Sequence, residues 1–355
     1  MNNVNHTGIS RFRMKQAAGT RPAMLAAMLA ASLGLSGLHN TAGAAAPAYP
    51  DKSRPINVIV PFSAGGPTDI QTRIIADFMS RDLGTNFVVQ ARPGAGSQIG
   101  LQQLVSAKPD GYTIGTTNNP TTMGVYLTPS RKATFNRLSF TPIGMFLFDP
   151  ETITVKADSP FKTFKDLIDA AKAKPRTIRA TTNGIYSDDH MAIVTVAKAT
   201  GAQFAMVHFD GTPEEVTALI SGRTHAAFMG IGGSLAHVKA GQLRHLVVMD
   251  DNPHPSLPGV PTIKSQGVNL SWGSARGMSG PAGMPREAVT VLEASLARAM
   301  KDKAIADKIS AMGTPVRYLN AADFSKFWEN METVTRPAID LMLADQGIEE
   351  KGPGK

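Results

Sequence analysis

The chain has 355 residues, with 36 basic and 28 acidic side chains, eight histidines and no cysteine. Without cysteine, disulfides and thiolate metal sites are excluded, and the scattered Lys and Arg leave no nucleic-acid footprint. The first 44 residues hold four of the basic and none of the acidic residues, so the remainder carries +4 against +8 for the whole chain.

Arg11, Arg13, Lys15 and Arg21 precede an apolar run over residues 24–31 that continues through Leu33, Leu35 and Leu38, and small residues follow at 42–46. This is the layout of a secretory signal peptide over residues 1–44, with Met14 as a second candidate start. The other reading, a membrane anchor, calls for about 20 apolar residues, and the run is shorter. No cysteine follows for lipid attachment. The rest of the chain is long enough for two domains of ordinary size.

A β-branched run at 56–60 reads as a buried strand. It breaks into Pro61, Phe62, Ser63, Ala64, Gly65, Gly66, Pro67, Thr68 and Asp69, after which Ile70, Ile74 and Phe78 mark the apolar face of a helix. The glycines fit a tight bend and Pro67 the first helical position, with Asp69 in the first turn. Such a strand–turn–helix junction aims free backbone N–H groups and a helix dipole at one spot, which favours an anion. A ligand-free turn explains the stretch equally well.

A second strand at 86–90 leads into Gly94, Gly96 and Gly100, which imitate a dinucleotide fingerprint. The acidic residue that would hold the ribose is missing. The next strand ends instead in Asn118, Asn119 and Thr121, groups suited to a polar ligand or to capping. Extended runs at 142–148 and 152–156 follow. Strands and helices then alternate, with polar loops at Thr182, Asn183, Gly184, Tyr186, Ser187, Asp188 and Asp189, and at Phe209, Asp210 and Gly211. Beyond Pro285 the chain reads as mostly helical, with a frayed tail at 352–355. The expected class is therefore α/β with largely parallel sheets whose ligand loops lie at strand carboxyl ends.

Catalytic constellations are missing. His190, His208, His225, His237 and His245 lack zinc spacing, and no G-x-S-x-G elbow exists. No metal site and no cofactor are expected. Arg276 faces either a ligand carboxylate or a structural ion pair, and Trp272 reads as core or hinge packing.

Taken together the motifs resemble one family, the periplasmic solute-binding receptors of tripartite tricarboxylate transporters (Bug receptors). The match runs through residues 61–69, 91–100, 108–113, 237–244, 257–262 and 280–285, over essentially the whole mature chain. The resemblance implies a two-domain periplasmic-binding-protein fold, type II-like, with two crossover strands at the hinge. It places domain 1 at 50–149 and 272–355 and domain 2 at 150–271. It also implies that the loops at 62–69 and 182–189 clasp one ligand carboxylate, while Asn118, Asn119, Thr121, Phe209, Asp210 and Gly211 set the far end of the pocket. The implied molecule is a periplasmic monomer that is not an enzyme and delivers a carboxylate to membrane transporter subunits. Two alternatives stay open: an exported α/β enzyme using Asp69 or Asp188 as a base, and a ligand-sensing partner of a membrane sensor.

This chain departs from the family pattern at Asp188, Asp189, Asp210 and Met229. A like-charge contact at about 4 Å costs roughly 4 kcal/mol at an effective dielectric of 20. Asp188 and Asp189 are therefore expected to cap their helix facing outward; otherwise the ligand carries an amine or neutral group there.

Overall fold

The computed structural model describes residues 49–345. The signal segment and the tail read above lie outside them. The elements run β1 (Ile56–Val60), α1 (Pro67–Leu83), β2 (Phe87–Ala91), α2 (Gln98–Val105), β3 (Thr113–Asn119), α3 (Thr121–Leu127), β4 (Phe140–Lys156), α4 (Phe164–Ala173), β5 (Ile178–Thr182) and α5 (Asp188–Thr200). They continue with β6 (Phe204–His208), α6 (Thr212–Ile220), β7 (Ala226–Gly230), α7 (Ile231–Lys239), β8 (Leu243–Val248), β9 (Gly273–Pro281), α8 (Arg286–Lys301), α9 (Lys303–Ser310), β10 (Val316–Asn320) and α10 (Ala321–Asp345).

The strands lie in the order β2-β1-β3-β9-β4-β7-β5-β6, with β10 and β8 also paired to β4. Parallel βα units flank the sheet: β1 pairs with β2 and β3, and β5 with β6 and β7. The centre is antiparallel. There β9 lies between β3 and β4, and β4 passes from β9 and β10 to β7 and β8.

β4 departs from the sequence reading of two separate runs. It is one 17-residue strand, continuous through Asp149, Pro150 and Glu151. Pro150 lacks a backbone N–H and sits opposite Gly273, at the end of the β9 ladder where β4 changes partners. β10 is a second departure. It lies inside the stretch read as helical and adds five residues beside β4.

Three apolar cores lie along β4, two of them at its opposite ends. Ile56, Val58, Ile75, Met79, Ile114, Phe146, Leu292 and Leu296 build the first. Ile153, Val155, Ile193, Phe204, Phe228 and Trp272 build the second. Phe324 and Trp328 of α10 pack with Leu101, Leu104, Phe140 and Met145 in the third, whereas Ala338, Ile339 and Met342 pack into the second. α1 buries a different face from the one its periodicity suggests. Ile70 is 40 % exposed and Ile74 and Phe78 only half-buried, while Thr68, Gln71, Thr72, Ile75, Ala76 and Met79 face inward. Buried polar side chains on a helix start are what a polar cleft requires, and they hide the period from hydropathy.

Candidate functional site

The chain leaves β1 through Phe62 and Ser63 and turns at Gly65, whose φ of +77° is a conformation that L side chains rarely adopt. The Gly65 N–H donates to the Asp69 carboxylate at 2.9 Å, and Arg73 pairs with the same carboxylate one helical turn on. Asp69, one of the two candidate bases, is thus held within its own loop. Phe62, Ser63, Gly66, Pro67 and Thr68 form one wall of a small cavity, and Asn118, Asn183, Asp188, Thr212 and Arg276 form the rest. The cavity encloses about 10 Å³, room for roughly one water.

Two helices start at this cavity. α1 opens at Pro67, and α6 opens at Thr212 with Pro213 behind it. Their starts nearly touch: a Cβ on Gly211 would stand 2.7 Å from the Ser63 Cβ, and one on Gly66 3.4 Å from Pro213. Similarly, a Cβ on Gly184 would stand 3.0 Å from the Gly96 Cα. The loops contributed from the two sides of β4 are therefore in contact around a nearly closed space.

The floor comes from β4 and β9. Side chains alternate along a strand, so Asp149 and Glu151 share a face of β4, and Trp272, Ser274 and Arg276 fall on one side of the chain entering and forming β9. Arg276 binds Asp149 at 2.7 Å and Gln71 at 2.6 Å, with both ionic groups buried. The Gly232 N–H at the start of α7 donates to the other Asp149 oxygen at 3.2 Å. Burial nonetheless pushes the Asp149 pKa up, against the pull of Arg276. Trp272 donates its ring N–H to the Asp188 carbonyl at 3.0 Å.

The expectation that Asp188 and Asp189 face outward is overturned. Asp188 is 3 % exposed and Asp189 fully buried. Asp188 accepts the Thr121 hydroxyl at 2.6 Å, and Asp189 accepts the Asn183 N–H at 2.8 Å. Ser187 takes the cap of α5 instead, accepting from the His190 N–H, so the aspartates are free to turn inward. Oxygens of Glu151, Asp188 and Asp189 come within 4.8 Å of one another. Burial first, then the charge of neighbouring carboxylates, drives the Glu151 and Asp189 pKa values well up. Glu215, buried in the first turns of α6, is pushed up for the same reasons.

Of the residues singled out in the sequence, Phe62, Ser63, Gly66, Asn118, Asn183 and Asp188 line the cavity. Gly65, Asp69, Thr121, Ser187 and Gly211 stand directly behind that wall and hold it through the contacts above. Thr182 closes its own loop through hydrogen bonds to the Gly184 carbonyl at 3.0 Å and to His208 at 2.7 Å. Asn119 is buried without a side-chain partner and does not line the cavity. Ala64 and Asp210 are exposed and Phe209 half-buried, all three outside the cavity wall. Thr68, Thr212, Asp149, Glu151 and Glu215 are the members that sequence reasoning missed. Asp149 and Glu151 could not be read as facing one way, because the sequence places them between two strands with Pro150 between them.

The chain is similar in sequence and fold to known proteins. The model of the tripartite tricarboxylate transporter family receptor fits residues 71–344. Protein BugT of Bordetella pertussis is 30% identical over 286 residues, 78% of this chain and 86% of BugT. Among solved structures, the periplasmic binding protein BugD is 26% identical with a TM-score of 0.77, covering 85% of this chain and all of BugD. R. palustris Rpa4515, solved with adipate, is 25% identical with a TM-score of 0.76, over 82% of this chain and 98% of Rpa4515.

Proposed function

Because the chain belongs to the tripartite tricarboxylate transporter family receptors, we propose that it is an extracytoplasmic receptor that encloses one small carboxylate-bearing molecule and hands it to transporter subunits in the membrane. The observation that carries this reading is the meeting of the α1 and α6 starts with Arg276 on one cavity. Each helix start presents about half a positive charge and unpaired N–H groups, so this end of the cavity is built for an anion. The adipate held by Rpa4515 supports a carboxylate as that anion.

Residues 1–44 are the export signal in this reading, and the mature receptor works as a monomer. Residues 50–149 with 272–355 form one closing body and 150–271 the other. The ligand enters when they part about β4 and β9, since the closed cavity is too small to admit it. α10 belongs to the first body and reaches into the core of the other through Ala338, Ile339 and Met342.

Thermal-shift screening of the mature protein against carboxylates and amino acids tests the proposal. Ligand at 100 times its dissociation constant adds about 2.7 kcal/mol of stability. Mass spectrometry of the recovered ligand should find it unchanged. A product, or no shift with any carboxylate, overturns the receptor reading.

A further inference from the structure

Five buried carboxyl groups, Asp149, Glu151, Asp188, Asp189 and Glu215, stand together, and Arg276, already paired to Asp149, bears on Asp149 and Asp189. The starts of α5, α6 and α7 beneath them add about half a positive charge each. Were all five ionised, two to three negative charges would remain uncompensated in a desolvated site, and protein interiors do not leave buried charge in that state. Burial raises the pKa values of Asp149, Glu151, Asp189 and Glu215, so protons, or a cation in their place, neutralise the cluster.

Independent of the charge, buried oxygen atoms here lack donors. The Glu151 and Asp189 carboxyls have only each other at Oε2 and Oδ1, an acceptor pair that needs a proton or a cation between them. Ser274 Oγ, on a residue only 1 % exposed, has no partner at all. Ser274 lies opposite Asp149 in the β4–β9 ladder, between Trp272 and Arg276, which reach Asp188 and Asp149. Asn118 Oδ1, 4 % exposed and on the cavity shared with Asp188, is also unpaired. An all-oxygen set of this kind is what a hard divalent cation takes.

We propose that Glu151, Asp188 and Asp189 hold one divalent cation, calcium by preference. Oxygens within 4.8 Å of one another can share an ion at the calcium–oxygen distance of about 2.3–2.6 Å. Calcium accepts irregular geometry, whereas magnesium demands a near-octahedral shell and keeps its waters. A ligand's ammonium group fits less well: of these three acids only Asp188 reaches the cavity wall, so a ligand there would meet one carboxylate, while a monatomic ion meets all three.

The ion has a consequence for the receptor, which rests on the function proposed above. Asp188 belongs both to the cation cluster and to the ligand cavity. Calcium behind it turns a wall that repels carboxylates into one that tolerates them. Carboxylate affinity is therefore calcium-dependent.

The test uses the mature chain stripped with chelator. Terbium, a luminescent stand-in for calcium, is expected to bind one per chain, to emit on excitation of the nearby Trp272, and to be displaced by calcium chloride. Glu151→Gln should weaken calcium binding by at least about tenfold. No saturable terbium emission and no rise in melting temperature with calcium in the unmutated chain overturn the site, whatever the variant does. If an amine-bearing carboxylate stabilises the stripped protein as much as calcium does, the cluster belongs to the ligand's ammonium and the proposal falls. Adipate is then titrated with and without calcium. Equal affinity overturns the coupling alone, and absence of binding in both arms by adipate and by every carboxylate of the thermal-shift screen overturns the receptor reading while terbium still reports the cation site.

Discussion

Replacing Arg276 with methionine removes the positive partner of Asp149 while keeping side-chain volume and burial. The pair is 2.7 Å apart, with side-chain exposures of 6% and 0%. Breaking a buried pair from one side costs about 3–5 kcal/mol, because the remaining charge is stranded. A second route gives the same scale. Burial already holds the Asp149 pKa above its ordinary value with arginine present, and removing the guanidinium raises it further, toward the protonated form. Protonating a group with an unfolded pKa of about 3.9 costs about 4 kcal/mol at pH 7 and about 1.5 kcal/mol at pH 5. Wild type already bears part of this cost through its own raised pKa. Equilibrium unfolding in guanidinium at the two pH values should therefore show Arg276→Met destabilised by up to about 4 kcal/mol at pH 7 and by less than half of that at pH 5. Adding Asp149→Asn should recover most of the loss and make the remainder independent of pH. A cost below about 1 kcal/mol at pH 7, or one unchanged at pH 5, would refute the account of the cleft floor as a desolvated ion pair.

His190 tests the opposite sign. Burial, with the charge of His208 behind it, lowers its pKa to about 3, and its Nδ1 accepts the Tyr186 N–H. A depressed folded pKa contributes stability above the unfolded value of about 6.5, which is lost as pH falls through the window down to about 3. The stability difference between wild type and His190→Asn should change by about 1.4 kcal/mol per pH unit in that window; a flat difference contradicts the assignment. The buried Glu151, Asp189 and Glu215 act the other way. Their raised pKa values mean that stability is present at low pH and lost as pH rises above the ordinary carboxylate range of about 4. Trp328 is fully buried against Phe140 and Phe324 with its ring N–H on the Tyr126 hydroxyl at 2.9 Å. Trp328→Ala should cost about 3–5 kcal/mol by denaturant titration, and a loss under about 1 kcal/mol would show that α10 does not support the core it shares with Phe140 and Leu101.

The βα alternation, the glycine turn at Gly65–Gly66 and the polar loop at Asn183 were legible because local pattern alone specifies them. Pairing across the sheet was not. Pro150 between two acids looks like a turn, and only the change of partners along β4 makes an extended proline acceptable there. The carboxylate cluster escaped for the same reason. Glu151, Asp188 and Glu215 sit on β4, α5 and α6, and no spacing within one element announces that they meet. The direction of Asp188 and Asp189 was misjudged because helix-start acids normally cap. Here Ser187 holds the cap and leaves both carboxylates to the interior.

The central claim is that a single carboxylate is enclosed where the α1 and α6 starts meet. Gly211→Val tests it: a Cβ there would come within 2.7 Å of the Ser63 Cβ, so the two loops could no longer close. Titration calorimetry should show one carboxylate bound per wild-type chain and no measurable binding by a variant whose unfolding curve matches wild type. A folded Gly211→Val protein that binds the same carboxylate with wild-type affinity would contradict the claim.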